Sequence, residues 1–134
     1  MHKKYSIEYY ASIDVVEIKI FEEEILLEDV VSMHKGVLSL SSGKRHGILY
    51  LAENFLNISR EARVEGQKPE YSEYVIAQAF IAHNLALRLM GNFIRRLLPK
   101  PKTVKLFKTR EEGLSWLLEK LKNKDLGGFK VKSE

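Results

Sequence analysis

Polar and apolar residues alternate from the start of the chain, over Tyr5–Ala11 and again over Val15–Phe21 (VVEIKIF). In the second run Glu17 and Lys19 face away from Val16, Ile18 and Ile20. A period of two is that of a strand with one buried face, and Ser12-Ile13-Asp14 supplies a turn, so a β-hairpin is predicted. The acid run Glu22-Glu23-Glu24 reads as a solvated turn. From Leu26 to about Leu40 the period lengthens to that of a helix. Leu26, Val30, Met33 and Val37 form one row, with Leu27, Val31 and Leu38 beside it. Glu28 and Asp29 fall in its first turn, where the helix dipole favours acids. Ser41 to Gly47 stops this helix and forms a loop, and Ile48–Ala52 (ILYLA) has the unbroken apolar character of a buried parallel strand.

The alternation of strand and helix continues to the end. Ser59 caps a short helix from Arg60 to about Gln67, before Pro69. Tyr74–Ala82 is a second buried strand. Leu85–Leu98 is an amphipathic helix ended by Pro99, with Ala86, Leu89, Met90, Phe93, Ile94 and Leu97 as its inward stripe. Thr103–Phe107 is a third buried strand. Thr109 caps a last helix through about Lys122 that turns Leu114, Leu117, Leu118 and Leu121 inward. Residues 125–134 read as a flexible tail behind a single domain of residues 1–124. The order ββαβαβαβα requires crossovers, and crossovers produce a mixed, mostly parallel sheet covered by helices, an α/β domain of three-layer type.

Particular residues carry a family likeness. The closing block, Arg95-Arg96-Leu97-Leu98-Pro99 through Thr103-Val104-Lys105-Leu106-Phe107-Lys108-Thr109-Arg110-Glu111-Glu112-Gly113-Leu114-Ser115-Trp116-Leu117, resembles the last strand and helix of the STAS domain superfamily, in its SpoIIAA-like branch of small bacterial proteins. Gly113 stands where that pattern has Ala. Ile58-Ser59-Arg60-Glu61-Ala62-Arg63 is similar to the segment after the third strand in a Bacteroidetes-type subgroup. The likeness spans roughly residues 5–122. It implies a SpoIIAA-like fold and a non-enzymatic regulatory or scaffold role through protein–protein contact. Ser59 matches approximately the phosphorylatable serine of the superfamily's anti-sigma factor antagonists and is a candidate phospho-site. The acidic residue and glycine of that switch motif are absent from Asn57-Ile58-Ser59-Arg60, and helix capping alone accounts for a serine here.

Charge changes this picture only in the C-terminal third. Residues 1–83 hold 9 Lys/Arg against 13 Asp/Glu, a net of −4, whereas residues 84–134 hold 13 against 5, a net of +8. Such asymmetry points to an acidic partner. Its focus is one face of the third helix and the segment just beyond: Arg88, Asn92, Arg95, Arg96, Lys100 and Lys102. An acidic protein is the expected partner, and a homodimer is compatible with the same reading. Nucleic acid ranks below it, because Phe93, Phe107 and Trp116 have core-like spacing and no reading motif accompanies the basic residues.

Other chemistry is sparse. The chain has no cysteine, which excludes disulfides and thiolate sites. Its four histidines, His2, His34, His46 and His83, lack metal-ligand spacing, so no metal and no cofactor are expected. His34 falls beside the apolar row of the first helix and His46 in a turn. No catalytic constellation is found. No apolar stretch has membrane-spanning length and no leader-like segment opens the chain, so a cytoplasmic location is expected. In parallel sheets, sites form beyond the carboxyl ends of the strands. His83, Asn84, Lys108, Thr109 and Arg110 are the candidates there for an anion, nucleotide or lipid ligand, which is the alternative function. Capping by Asn84 and Thr109, with the charges solvated, explains the same residues without a ligand.

Overall fold

A computed structural model describes residues 4–97 and 103–133. In chain order its strands are β1 (Tyr5–Tyr10), β2 (Val15–Ile20), β3 (Glu24–Ile25), β4 (His46–Ala52), β5 (Asn57–Ile58), β6 (Val75–Ile81) and β7 (Val104–Phe107). The main sheet has five of them, in the spatial order β1-β2-β4-β6-β7. β1 and β2 form the hairpin, and its register sets Ile7 opposite Ile18 and Tyr9 opposite Val16. Every other pairing in the sheet is parallel. At the hairpin turn Asp14 takes the left-handed conformation, φ 53°. Its carboxylate accepts a hydrogen bond from the Tyr9 hydroxyl at 2.8 Å, which holds a residue type that tolerates this region.

The helices are α1 (Leu27–Ser41), α2 (Arg60–Gly66), α3 (Leu85–Leu97) and α4 (Arg110–Ser133). They divide unequally between the two faces of the sheet. On one face Val16, Ile18, Ile20, Ile48 and Phe80 pack with Met33 and Val37 of α1 and Leu87 and Met90 of α3. On the other, Val15, Leu49, Ala77, Ala79 and Ile81 pack beneath Leu117 of α4. Consecutive strand residues point to opposite faces, so the mostly apolar runs of β4 and β6 serve both cores at once.

Two small elements go beyond the pattern read from the sequence. β3 pairs in parallel with β5, which makes the end of the acid run a strand rather than a plain turn. Ile25 and Leu56 are buried there, and they seal one end of the helix-covered face. Pro69–Ser72 forms a 3₁₀ helix ahead of β6, and Pro69 opens it. Two runs of two residues have no detectable period, which is why they escape a pattern argument.

The inward stripe of α3 is a correction. Leu87, Met90 and Gly91 are buried and Ile94 packs with them, whereas Ala86, Leu89 and Phe93 are exposed. Gly91 sets the rotation. A Cβ there would lie 2.7 Å from Leu106 Cδ2 and 3.3 Å from Phe80 Cδ1, so the backbone of α3 approaches the sheet at that residue. The apolar arc of α3 is wider than the strip of sheet beneath it, and Leu89 and Phe93 lie in the part left over.

Three further readings change. Leu118 of α4 is exposed while Leu114, Leu117 and Leu121 pack inward. His46 is the first residue of β4 and buried rather than in a turn, because its backbone joins the ladder through Tyr74 O at 2.9 Å. Finally, α4 continues to Ser133, so the backbone of residues 125–133 is helical. No proline follows Pro101, and Gly127-Gly128 costs a helix only about 1 kcal/mol per glycine.

Candidate ligand pocket

The helix-covered face is not filled. A cavity of about 150 Å³ lies between the sheet and the layer formed by α1, α2, the 3₁₀ turn and α3. Its floor is Ile20, Ile48, Tyr50, Gln78, Phe80 and Val104, the residues of four adjacent strands that point to this side. Its roof includes Met33 and His34 of α1, Ala62, Arg63 and Gly66 of α2, and Gly91, Ile94 and Arg95 of α3. The void has a local cause. The residues that α2 and α3 bring to it include Ala62, Gly66 and Gly91, and Gly91 is kept small by its approach to Leu106. Close packing is the norm in protein interiors, so a void this size needs such a cause.

The lining is almost wholly apolar, with a few polar groups at defined places. Tyr50 and Gln78 stand in the floor, and among the described residues neither the Tyr50 hydroxyl nor the Gln78 amide has a hydrogen-bond partner. Burial pushes the Tyr50 hydroxyl well above the ordinary tyrosine range. His34 stacks on Tyr71 with ring centroids 4.0 Å apart and planes 4° from parallel. Burial lowers His34 to about 4 against the opposing pull of Glu65, so its ring is neutral near pH 7. The Tyr71 hydroxyl donates to Glu65, and that bond, with burial, raises Tyr71 to about 12. Lys68 Nζ lies 3.1 Å from the same carboxylate. This stack and its ion pair join the first turn after α2 to α1 across one wall of the cavity.

Among the described residues the charged side chains that line the cavity are Arg63 and Arg95, both half-buried, and no carboxylate lines it. The Arg63 guanidinium lies 5.8 Å from the centroid of the Phe93 ring. Neither arginine has an ion-pair partner among the described residues.

A second charged constellation sits on the opposite face of the sheet. Glu17 is 2% exposed, and Arg110 reaches it from the start of α4 with Nε–Oε2 at 2.7 Å and Nη2–Oε1 at 3.2 Å. The Tyr10 hydroxyl donates to Oε1 at 2.9 Å. Burial alone would raise the Glu17 carboxyl, but the guanidinium and the phenol outweigh it and hold the carboxyl below its ordinary range. With both carboxylate oxygens engaged by the protein itself, this group is a structural tie between the hairpin and α4.

The residues singled out in the sequence are dispersed over the molecule. The loops after β6 and β7 are adjacent, since Ala82 N donates to Phe107 O at 2.7 Å. Asn84 Oδ1 caps α3 by accepting from Leu87 N at 2.8 Å, and Thr109 Oγ1 caps α4 by accepting from Glu112 N at 3.2 Å. Arg110 is turned away to Glu17, which leaves His83 and Lys108 exposed beside two caps. Ser59 Oγ accepts from Ala62 N at 3.1 Å as the cap of α2. On α3, Arg88 and Arg96 are exposed, Asn92 and Arg95 are half-buried, and Lys100 and Lys102 lie outside the described residues. Among the described residues no group of three or more His, Asp or Glu is gathered as a metal site requires, and no helix is long and apolar enough to cross a membrane.

Sequence reasoning missed the cavity, because a void depends on the packing of helices that no local pattern encodes. It also missed the Glu17–Arg110 tie, whose ends are 93 residues apart in sequence. The one signal available was Glu17 itself, an acid between the apolar residues Val16 and Ile18 of β2.

An uncharacterised protein of the DUF3478 family from Shewanella loihica PV-4, described as having a SpoIIAA-like fold, superposes with a TM-score of 0.60. The match covers 84% of this chain and 91% of that one at 16% identity, which shows the SpoIIAA-like fold and leaves function open. No curated protein matches the chain in sequence. The model of a domain of unknown function, DUF7793, matches residues 9–121, from the hairpin to the last inward leucine of α4, and the chain belongs to that family.

Proposed function

We propose that this protein is a non-enzymatic binding module whose ligand is a small apolar molecule held in the cavity beneath α2 and α3. The observation that carries the reading is the cavity itself: about 150 Å³ left open in the better-covered core, walled by aliphatic and aromatic side chains. Engineered apolar cavities of about this volume stay dry and take up benzene, so the space suits an aromatic ring or a short acyl chain. The ligand site therefore lies on the helix-covered face of the sheet, away from the strand-end loops at His83 and Lys108. A methyl NMR titration with benzene tests it. Shifts at Met33, Ile48 and Ile94 are expected, and unmoved methyls in benzene-saturated buffer would sink the reading.

A second reading keeps the protein–protein role, with an acidic partner and a bacterial, cytoplasmic setting of the kind the SpoIIAA-like likeness implies. Leu85, Leu89 and Phe93 are 63%, 61% and 46% exposed along α3, and Arg88 and Arg96 stand beside them. Contiguous exposed apolar patches rimmed by polar residues mark interaction surfaces, and Leu85, Leu89 and Phe93 recur at helical spacing on α3. An Arg88→Glu/Arg96→Glu variant that still folds and captures the same proteins from native extract, at low and high salt alike, would remove the basis for it.

A further inference from the structure

We propose that the ligand is an apolar carboxylate, its acyl or aryl tail in the cavity and its head at Arg63 and Arg95; this rests on the cavity being a binding site. The chemistry of the lining is one-sided. Among the described residues, both charged residues that line it are arginines, one from α2 and one from α3, and no acid lines it. Neither guanidinium has an ion-pair partner among the described residues, although two other half-buried cations do: Lys4 pairs with Asp29 at 2.8 Å and Arg110 with Glu17 at 2.7 Å. Two uncompensated cations on one apolar cavity repel each other, and a single anion bound between tail-filling contacts relieves both.

Residue type sharpens this. Arginine keeps its charge at any physiological pH and offers a planar fork that matches a carboxylate. Both arginines are half-buried, and long cationic side chains border apolar surface by laying the stem along it with the head toward water. The stacking of Arg63 over Phe93 restrains one of the two heads before any ligand arrives. The rest of the lining argues against a large polar ligand. Among the described residues Tyr50, Gln78, His34, Tyr71 and Ser72 are its uncharged polar residues, too few and too scattered for a nucleotide or sugar.

Isothermal titration calorimetry on the full chain tests the inference with two matched pairs: octanoate against octanamide, and 3-phenylpropanoate against its amide. At least one carboxylate is expected to bind tenfold or more tightly than its amide, in line with a charge-assisted hydrogen bond. In Arg63→Gln/Arg95→Gln, which removes the charge but keeps two of the three methylenes of each stem, that ratio is expected to fall to within about twofold while amide binding persists. Circular dichroism checks the fold, and the two single variants serve if the double one does not fold. Equal binding of carboxylate and amide by the unaltered protein overturns the anionic class and leaves the cavity reading standing. A preference that survives in the variants removes the arginines from the site. Silence from all four probes at millimolar concentration overturns the cavity reading together with this inference.

Discussion

At the scale of single residues, the strongest commitments are the charged groups that the fold has taken out of water. Glu17 sits beneath α4 with Arg110 as its counter-charge, and removing one partner of such a pair leaves the other buried and unsatisfied. Arg110→Ala is therefore expected to cost about 2 kcal/mol, less than for a fully buried pair because the arginine side chain is 37% exposed. Replacing both ends in Glu17→Leu/Arg110→Leu is expected to recover most of that loss, and urea denaturation at pH 7 compares the three proteins. A double variant as weak as Arg110→Ala would show that the tie contributes more than mutual neutralisation. His34 makes a different commitment, to a neutral ring. Folded, it takes up a proton only near pH 4; unfolded, it does so near 6.5. Between those values the unfolded chain binds more protons, so stability falls as pH drops from about 6.5 to about 4. The loss from this residue approaches roughly 3 kcal/mol. Burial displaces His46 in the same direction, so His34→Gln is expected to flatten, not abolish, the fall in urea midpoint between pH 7 and 4.5. An unchanged slope in that variant would show that His34 titrates normally in the fold.

Helices and strands were legible to the extent that their periods were long enough to read. The five strands of the main sheet and four helices follow from alternation, apolar runs, caps at Ser59 and Thr109 and the proline stops. What the pattern does not contain is which part of a wide apolar arc meets the sheet. On α3 that choice is made by Gly91, and on α4 by Gly113, where a Cβ would lie 2.6 Å from Ile81 Cδ1 and 3.3 Å from Leu49 Cδ1. Close backbone approach is a tertiary fact, and a glycine in a helix reads locally only as a weak helix former. The candidate site was legible in still smaller part. Arg95 was singled out for its charge, but the wall that gives that charge its setting is assembled from elements spread along the chain from β2 to β7. Gly113→Ala tests the importance of close approach. Alanine gains helix propensity of about 1 kcal/mol, but overpacking costs about 1–3 kcal/mol, so a net loss near 1 kcal/mol is expected. Ile81→Val removes the Cδ1 methyl that the new Cβ would meet. In that background the added methyl is expected to be neutral or stabilising, a coupling that thermal melts of the four proteins in the cycle measure. Simple additivity would mean that some other contact sets the position of α4.

At the scale of the whole molecule the cavity poses a question of stability against purpose. An enclosed core void costs about 24 cal/mol per Å³, so for a cavity of 150 Å³ that opens toward solvent roughly 3–4 kcal/mol is an upper bound on the stability forgone. That is a large share of the roughly 5–15 kcal/mol that holds a domain together. The unfilled space lies on the face covered by three helices, where side chains to fill it are close at hand, and the single-helix face under α4 is packed around Leu117 at 0% exposure. A cavity without use would be the easiest place in this fold to gain stability, because Ala62 lines it and is buried. Ala62→Leu is therefore expected to raise the melting temperature, by about 3 °C for each kcal/mol gained in a domain of this size. A space-filling variant that is more stable and has lost its affinity for octanoate or 3-phenylpropanoate would show the two properties competing for the same volume. A variant that gains stability and binds as before would place the ligand elsewhere in the molecule.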